Sequence, residues 1–137
     1  MASKNNKVKK ILMLDDEESI RYFYRKVLEE EGYSICEAST SAQAFKILDE
    51  ENISLILLDI KLKGESGLDF LIKIFKTREK EKKIPVIILS SFQSFQDDAK
   101  AWIADDYIVK SSDTKPLIQS IKKTIERFER ERERERR

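Results

Sequence analysis

The sequence predicts one doubly wound α/β domain, in which a parallel sheet is covered by helices on both faces. Short, almost continuously apolar runs recur along the chain, as in strands that are buried on both faces of a parallel sheet. The segments between these runs carry apolar residues at helical spacing. With 137 residues, the chain is long enough for one such domain and too short for two.

Four apolar runs and one weaker run are predicted to form five strands. The weaker run is more polar than the others, as expected of a strand at the edge of the sheet. In chain order, the runs are Ile11 to Leu14, the weaker Tyr33 to Ala38, Ser54 to Leu58, Val86 to Leu89 and Tyr107 to Val109.

Capping signals mark where several helices begin and end. Gly32 is expected to close the first helix, because a left-handed residue is favoured there. Thr40 and Gln43 are spaced as a capping box that opens the second helix. The last helix is predicted to begin near Thr114, with Pro116 in its first turn.

Each helix is predicted to bury the apolar residues that share one face. The predicted inward residues are Ile20, Phe23, Tyr24, Val27 and Leu28 in the first helix, Ala44, Ile47 and Leu48 in the second, Leu68, Leu71, Ile72 and Phe75 in the third, and Leu117, Ile118, Ile121, Ile125 and Phe128 in the last.

Residues 8–128 are predicted to form the domain, preceded by an N-terminal tail of residues 1–7. Residues 129–137 alternate in charge, which places opposite charges three residues apart and like charges four residues apart. Because these effects roughly cancel, we expect a charged tail that is helical or frayed. A solvated helix end is favoured over the start of a linker helix.

Composition excludes several classes of function. The 27 basic and 26 acidic residues nearly cancel, so the net charge does not favour nucleic acid or an anionic membrane. The apolar run from Ile11 to Leu14 is too short for a signal peptide or membrane span, and we expect a cytoplasmic protein. The absence of histidine and the single cysteine, Cys36, exclude Ser-His-Asp and Cys-His catalysis and a histidine or cysteine zinc site.

Polar residues follow the predicted strands at their carboxyl ends, where doubly wound sheets collect functional groups. They are Asp15, Asp16, Asp59, Ser90, Ser91 and Lys110. Neighbouring carboxylates repel one another, and a hard divalent cation such as Mg²⁺ relieves this repulsion through oxygen ligands. A carboxylate can attack phosphorus if the oxygens of the donor are neutralised, and Lys110 and Ser90 suit that task.

Four motifs resemble, in order and spacing, those of the receiver domains of bacterial two-component response regulators. They are ILMLDDEESIR, LILLDIKLKGESGLDFL, IPVIILSS and ADDYIVK, and they lie at the first, third, fourth and fifth predicted strands. The resemblance covers about Val8 to Phe128. It implies a flavodoxin-like receiver fold with five parallel strands and five helices.

The resemblance also implies a role for each site residue. Asp59 would be the phosphoacceptor, and Lys110 would contact the phosphoryl group. Asp16 and Asp59 would bind Mg²⁺ together with the backbone carbonyl of Lys61, and Asp15 would act mainly through metal-bound water.

A conformational switch and a set of partners follow from the same resemblance. Ser90 would move toward the phosphate and Tyr107 would swing inward behind it, as a shift between two pre-existing states. The implied partners are a histidine kinase or histidine phosphotransfer protein and a downstream output protein or domain, with a homodimer as one option. We expect no direct binding to nucleic acid or a membrane, and a signalling module rather than an enzyme.

The chain departs from the family pattern after Lys110 and before Tyr107. The family usually has a proline in a cis peptide where this chain has Ser111, so a cis and a trans bond both stay open. The stretch from Ser91 to Tyr107 is about two residues shorter than expected, with Ile103 where a glycine commonly ends the fourth helix. We therefore expect a short or irregular fourth helix, and a partner or dimer mode different from the commonest one.

Two other functions remain open. A degenerate receiver would serve only as an interaction module and never take phosphate, which the missing proline at Ser111 would support. A phosphatase of the haloacid-dehalogenase kind also uses an aspartate nucleophile, but it needs a second aspartate two residues later, where this chain has Lys61.

Overall fold

The computed structural model describes residues 7–78, 83–91, 101 and 103–136. The predicted fourth helix falls mostly on residues 92–100 and 102, which lie outside the described residues, so its predicted irregularity stays a prediction. Within the described ranges, the elements are β1 (Lys10–Leu14), α1 (Glu18–Glu30), β2 (Ser34–Ala38), α2 (Ser41–Glu50), β3 (Leu55–Leu58), β4 (Lys61–Leu62), β5 (Glu65–Ser66), α3 (Gly67–Arg78), β6 (Val86–Ser90), β7 (Asp106–Val109) and α4 (Lys115–Glu135).

Five strands form one parallel sheet in the order β2-β1-β3-β6-β7. The fully apolar strand β3 is buried along its whole length near the centre, whereas the more polar β2 lies at one edge. Strands β4 and β5 form a separate two-stranded antiparallel hairpin between β3 and α3. The predicted doubly wound sheet and the edge position of β2 are confirmed.

The sheet separates two apolar cores. Successive residues of a strand point to opposite faces, so each central strand supplies both cores. Helices α2 and α3 cover one face, and α1 and α4 cover the other. The first core includes Leu12, Leu14, Ala44, Leu48, Ile56, Leu58, Phe70 and Leu71, and the second includes Ile11, Met13, Tyr24, Leu28, Leu55, Leu57, Ile121 and Ile125.

The predicted helix faces are wrong at two aromatic residues. Phe23 is 40% exposed and Phe75 is 52% exposed, although both were expected to face inward. In α3, Phe70 and Ile74 are buried instead, and Phe70 packs against Phe45 of α2 with ring centroids 4.9 Å apart. A helix buries only a stripe against a sheet, so apolar residues at the margin of that stripe stay accessible to solvent.

The capping predictions largely hold. Gly32 has a φ of +96°, the left-handed conformation that favours glycine after a helix. The Thr40 hydroxyl accepts a hydrogen bond from the Gln43 backbone N–H at 3.2 Å. The side chain of Gln43 accepts in return from the N–H of Ser39, one residue earlier than an ideal capping box places it. Pro116 lies in the first turn of α4, as predicted.

Helix α4 continues into the charged segment. Of the two options predicted for this segment, the structure shows the helical one through Glu135. Glu129 forms an ion pair with Lys9, and the guanidinium of Arg132 donates to the carbonyl of Lys83 at 3.0 Å. These contacts join the end of α4 to the domain. No helix in the described ranges has the length and apolar character needed to cross a membrane.

Candidate functional site

The acids that follow β1 and β3 lie side by side at the carboxyl edge of the sheet. The backbone N–H of Asp59 donates to the carbonyl of Leu14 at 2.9 Å, and the N–H of Asp15 donates to the carbonyl of Ala38 at 3.1 Å. Strand pairing therefore continues one residue beyond each strand and fixes the backbone of both acids. Both residues are buried.

Lys110 joins these two acids from the end of β7. Its backbone N–H donates to the carbonyl of Ser90 at 2.8 Å, which extends the pairing of β6 with β7. Its Nζ atom lies 2.5 Å from Asp15 Oδ2 and 3.2 Å from Asp59 Oδ2. The side chains of all three residues are at most 7% exposed, so this is a buried ionic cluster.

The buried cluster shifts the pKa of both Asp59 and Lys110. Burial raises the pKa of Asp59, the charge of Asp15 raises it further, and Lys110 and a hydrogen bond with the Lys61 backbone only partly oppose this. Burial tends to lower the pKa of Lys110, but hydrogen bonds and charge from Asp15 and Asp59 outweigh burial and raise it. Two carboxylates thus share one ammonium, and a further cation would balance the remaining negative charge.

The raised pKa of Asp59 predicts that Asp59→Asn stabilises the metal-free protein at neutral pH. A carboxyl group whose pKa is higher in the folded than in the unfolded protein stabilises the fold at pH values below its unfolded pKa, which is near 3.8 for Asp59. This stability is lost as the pH rises through the folded-state pKa. Asparagine is not subject to this loss. The free energy of unfolding of the variant should therefore exceed that of the wild type by a growing margin as the pH rises from the unfolded to the folded pKa of Asp59. Urea denaturation at a series of pH values measures this difference. A variant less stable than the wild type at neutral pH would contradict the prediction.

The other predicted metal ligands lie beside this cluster. Asp15, Asp16 and Glu17 each offer a carboxylate oxygen, and these oxygens lie within 4.8 Å of one another. Glu17 was not predicted, and its backbone N–H donates to Asp15 Oδ1 at 2.9 Å. All of these donors are hard oxygens, which fits Mg²⁺. Lys61, predicted to offer its carbonyl, contacts Asp59 through its backbone N–H.

Ser90 and Tyr107, the predicted switch residues, are in contact with each other. Ser90 is fully buried at the end of β6, and Tyr107 of β7 pairs with Ile88, two residues before it. Their side chains share a hydrogen bond, which tends to lower the pKa of Tyr107, but burial is the larger effect and raises it. A movement of either side chain therefore alters the hydrogen bond that it shares with the other.

Two residues at the site were not predicted to act there. The Nη1 atom of Arg21 donates to the Asp15 carbonyl at 2.6 Å, and its Nε atom donates to Glu37 at 3.0 Å. Tyr24 was interpreted only as a core residue, but its hydroxyl contacts the backbone of Ser111. The Tyr24 contact leaves no signal in residue spacing, because it joins residues 87 positions apart.

Two backbone features complete the site. No peptide bond among the described residues is cis, so the bond between Lys110 and Ser111 is trans. Gly67, at the start of α3, packs against the loop that carries Asp59. A Cβ atom on Gly67 would lie 2.1 Å from the Asp59 carbonyl oxygen and 2.8 Å from Ile60 Cα. The N–H of Gly67 donates to the Ile60 carbonyl at 2.6 Å.

A family model described as the response regulator receiver domain matches residues 11–122. The chain belongs to this family. The predicted receiver domain is therefore confirmed, and its five-stranded parallel sheet is the fold of the solved receivers that it resembles.

Known proteins that this receiver resembles are regulators and their complexes. It is 37% identical over 122 residues to the phosphate regulon transcriptional regulatory protein PhoB of Klebsiella pneumoniae, covering 88% of the chain and 53% of PhoB. It is 37% identical to the response regulator TrrA of Thermotoga maritima, solved in complex with Mg²⁺ and BeF, with a TM-score of 0.78 over 85% of this chain and 98% of TrrA. TrrA in complex with the histidine kinase ThkA gives a TM-score of 0.76 over 85% of this chain and 97% of TrrA, again at 37% identity. The chain spans only 18% to 53% of the length of the first curated relatives.

Proposed function

We propose that this receiver domain accepts a phosphoryl group on Asp59 in a Mg²⁺-dependent reaction and signals through Ser90 and Tyr107. The observation that carries the proposal is the buried contact of Lys110 Nζ with both Asp15 and Asp59. The cluster places a nucleophilic carboxylate beside a cation that can bind phosphoryl oxygens, and it does so at the carboxyl edge of a doubly wound sheet.

In the proposed reaction, a carboxylate oxygen of Asp59 attacks the phosphorus of a phosphohistidine or of acetyl phosphate. A bond forms between this oxygen and phosphorus, and the bond from phosphorus to the donor's nitrogen or oxygen breaks with its electron pair leaving on the donor. Lys110 moves from Asp59 Oδ2 to a phosphoryl oxygen. The hydroxyl of Ser90 moves toward another phosphoryl oxygen and donates a hydrogen bond to it. This movement alters the hydrogen bond between Ser90 and Tyr107.

The residues that would hold Mg²⁺ are Asp16, Asp59 and the Lys61 carbonyl, with Asp15 acting through water. The burial and raised pKa of Asp59 support this assignment, since a buried carboxylate favours an additional positive charge. Bound there, Mg²⁺ would offset the negative charge that the phosphoryl group brings. The solved complex of TrrA with Mg²⁺ and BeF supports the same chemistry in this chain.

The phosphoryl donor that we propose is a histidine kinase or a histidine phosphotransfer protein. The solved complex of TrrA with the kinase ThkA supports this kind of partner. A downstream output protein or domain is proposed as the receiver of the signal, because PhoB, a transcriptional regulatory protein, extends well beyond the region that matches.

Phosphorylation with acetyl phosphate and Mg²⁺ tests the proposal. Intact-protein mass spectrometry should show the mass of one added phosphoryl group in the wild type and none in Asp59→Asn. Asp69→Asn is the matched control, because Asp69 is exposed on α3, and it should be labelled like the wild type. Turnover of p-nitrophenyl phosphate would indicate a phosphatase instead, and a wild type that stays unmodified would indicate a degenerate receiver.

A further inference from the structure

A single tyrosine hydroxyl holds the residue that follows Lys110. Tyr24 of α1 is only 3% exposed. Its hydroxyl accepts a hydrogen bond from the Ser111 backbone N–H at 3.0 Å and donates to the Ser111 carbonyl at 3.2 Å. Both main-chain polar groups of Ser111 are therefore bound by one side chain from another element, and the proposed reaction assigns no role to this contact.

The contact restrains the backbone of Lys110 from its carboxyl side. On the amino side, the N–H of Lys110 is already held by the carbonyl of Ser90 at 2.8 Å. The hydroxyl of Ser111 accepts from the N–H of Asp113 at 3.1 Å, so Ser111 also begins the turn that leads to α4. Because the N–H of Lys110 and the backbone of Ser111 are both hydrogen-bonded, the backbone on either side of the Lys110 Cα atom is restrained, and so is the direction in which its long side chain leaves the backbone.

The backbone N–H of Ser111, which donates to the Tyr24 hydroxyl, is present only because residue 111 is not a proline. Proline has no backbone N–H, so a proline at this position would offer Tyr24 the carbonyl alone. Burial raises the pKa of the Tyr24 phenol, which keeps the hydroxyl protonated and able to donate at neutral pH. Tyr24 and Ser111 thus form a matched pair, in which the tyrosine hydroxyl binds a backbone N–H that a proline would lack.

We propose that Tyr24 is a positioning residue for phosphoryl transfer, which aims the ammonium of Lys110 at the phosphoryl oxygens by holding the backbone of Ser111. This inference rests on the proposed function and deepens it. Tyr24 contacts neither the reacting oxygens nor the incoming group in this proposal, so its whole effect on the rate passes through Lys110.

A double-mutant cycle tests this inference with the full chain. Phosphorylation rates are measured with acetyl phosphate at saturating Mg²⁺ for the wild type, Tyr24→Phe, Lys110→Ala and the double variant. Tyr24→Phe keeps the ring and removes only the hydroxyl. We expect it to slow labelling about tenfold, since a misplacement of a reacting group by about 1 Å can cost on the order of 100-fold. In the Lys110→Ala background, the same change should have no further effect, because the residue that it positions is gone.

Mg²⁺ affinity and a second tyrosine distinguish positioning from general loosening of the fold. Calorimetric titration with Mg²⁺ should show no weaker binding in Tyr24→Phe than in the wild type. Tyr22→Phe is the matched control, because Tyr22 lies on the same helix but is 55% exposed, and its labelling rate should equal that of the wild type. Thermal unfolding of each variant establishes that all are folded at the assay temperature.

The outcomes separate this inference from the proposed function. A labelled wild type whose rate is unaffected by Tyr24→Phe overturns the positioning role and leaves the proposed function intact. An equal loss in the wild-type and Lys110→Ala backgrounds also overturns it, because the effect then does not pass through Lys110. A wild type that acetyl phosphate does not label overturns the proposed function and the positioning role together.

Discussion

Lys110→Ala is expected to slow phosphorylation of Asp59 by about 100-fold, the usual loss when one preorganised donor to a developing charge is removed. The same change should destabilise the metal-free protein by roughly 3 kcal/mol, because it leaves the buried carboxylates of Asp15 and Asp59 without their counter-ion. Acetyl phosphate labelling followed over time measures the first effect. Urea denaturation at neutral pH measures the second.

Mg²⁺ should restore the stability of Lys110→Ala but not its labelling rate. Without the ammonium, the site holds more uncompensated negative charge, so Mg²⁺ should bind more tightly and raise the unfolding temperature by more than in the wild type. The labelling rate should stay low even when Mg²⁺ saturates the site, because the donor to the phosphoryl oxygen is still missing. A labelling rate that Mg²⁺ restores to the wild-type value would show that Lys110 supplies only charge balance.

Lys122→Ala is the matched control for this experiment. Lys122 pairs with Glu31 at 3.5 Å on the surface, with its side chain 57% exposed. An exposed pair of this kind contributes less than about 1 kcal/mol, because solvent and salt screen it. If both lysine variants lost the same stability, the cluster around Lys110 would not behave as a buried one, and the electrostatic basis of the proposed site would be wrong.

Gly67→Ala is expected to destabilise the fold by about 3 kcal/mol, the upper part of the usual cost of overpacking. The new Cβ would lie 2.1 Å from the carbonyl oxygen of Asp59, and this neighbour is backbone that strand pairing holds in place. The strain can be relieved only if the start of α3 or the Asp59 loop moves. The variant should therefore also lose phosphorylation activity. Urea denaturation and acetyl phosphate labelling measure the two effects.

Gly64→Ala separates steric overlap from the conformational cost of losing a glycine. Gly64 lies in the β4–β5 hairpin of the same loop, has a φ of +77° and has open space where a Cβ would be added. Its replacement should cost about 1 kcal/mol, the usual penalty for a left-handed residue that carries a Cβ. The interpretation of Gly67 fails if the two alanine variants are equally destabilised.

The strands and the place of the site could be predicted from the sequence because both depend on simple patterns. A buried parallel strand leaves a continuous apolar run, and the residue after such a run must lie at the carboxyl edge of the sheet. Asp15, Asp59 and Lys110 follow such runs directly, and the structure brings their side chains together.

The helix faces and the supporting contacts were less predictable. Phe23 and Phe75 have the spacing of core residues, but whether such a residue is covered depends on how each helix lies on the sheet. The contact of Tyr24 with Ser111 joins residues 87 positions apart. The close approach of Gly67 to Asp59 likewise depends on the path of a loop. Such contacts are properties of tertiary packing and leave no periodic signal.

The sharing of one ammonium between two buried acids also affects how readily the protein is phosphorylated without a partner. In this arrangement the ammonium of Lys110 is already bound by two carboxylates, so any small anion that enters must first compete for Lys110 with these two internal partners. Chance modification by cellular phosphate compounds is therefore disfavoured relative to delivery by a partner that holds the donor in place. We therefore expect a low level of background phosphorylation in a signalling pathway that uses this protein.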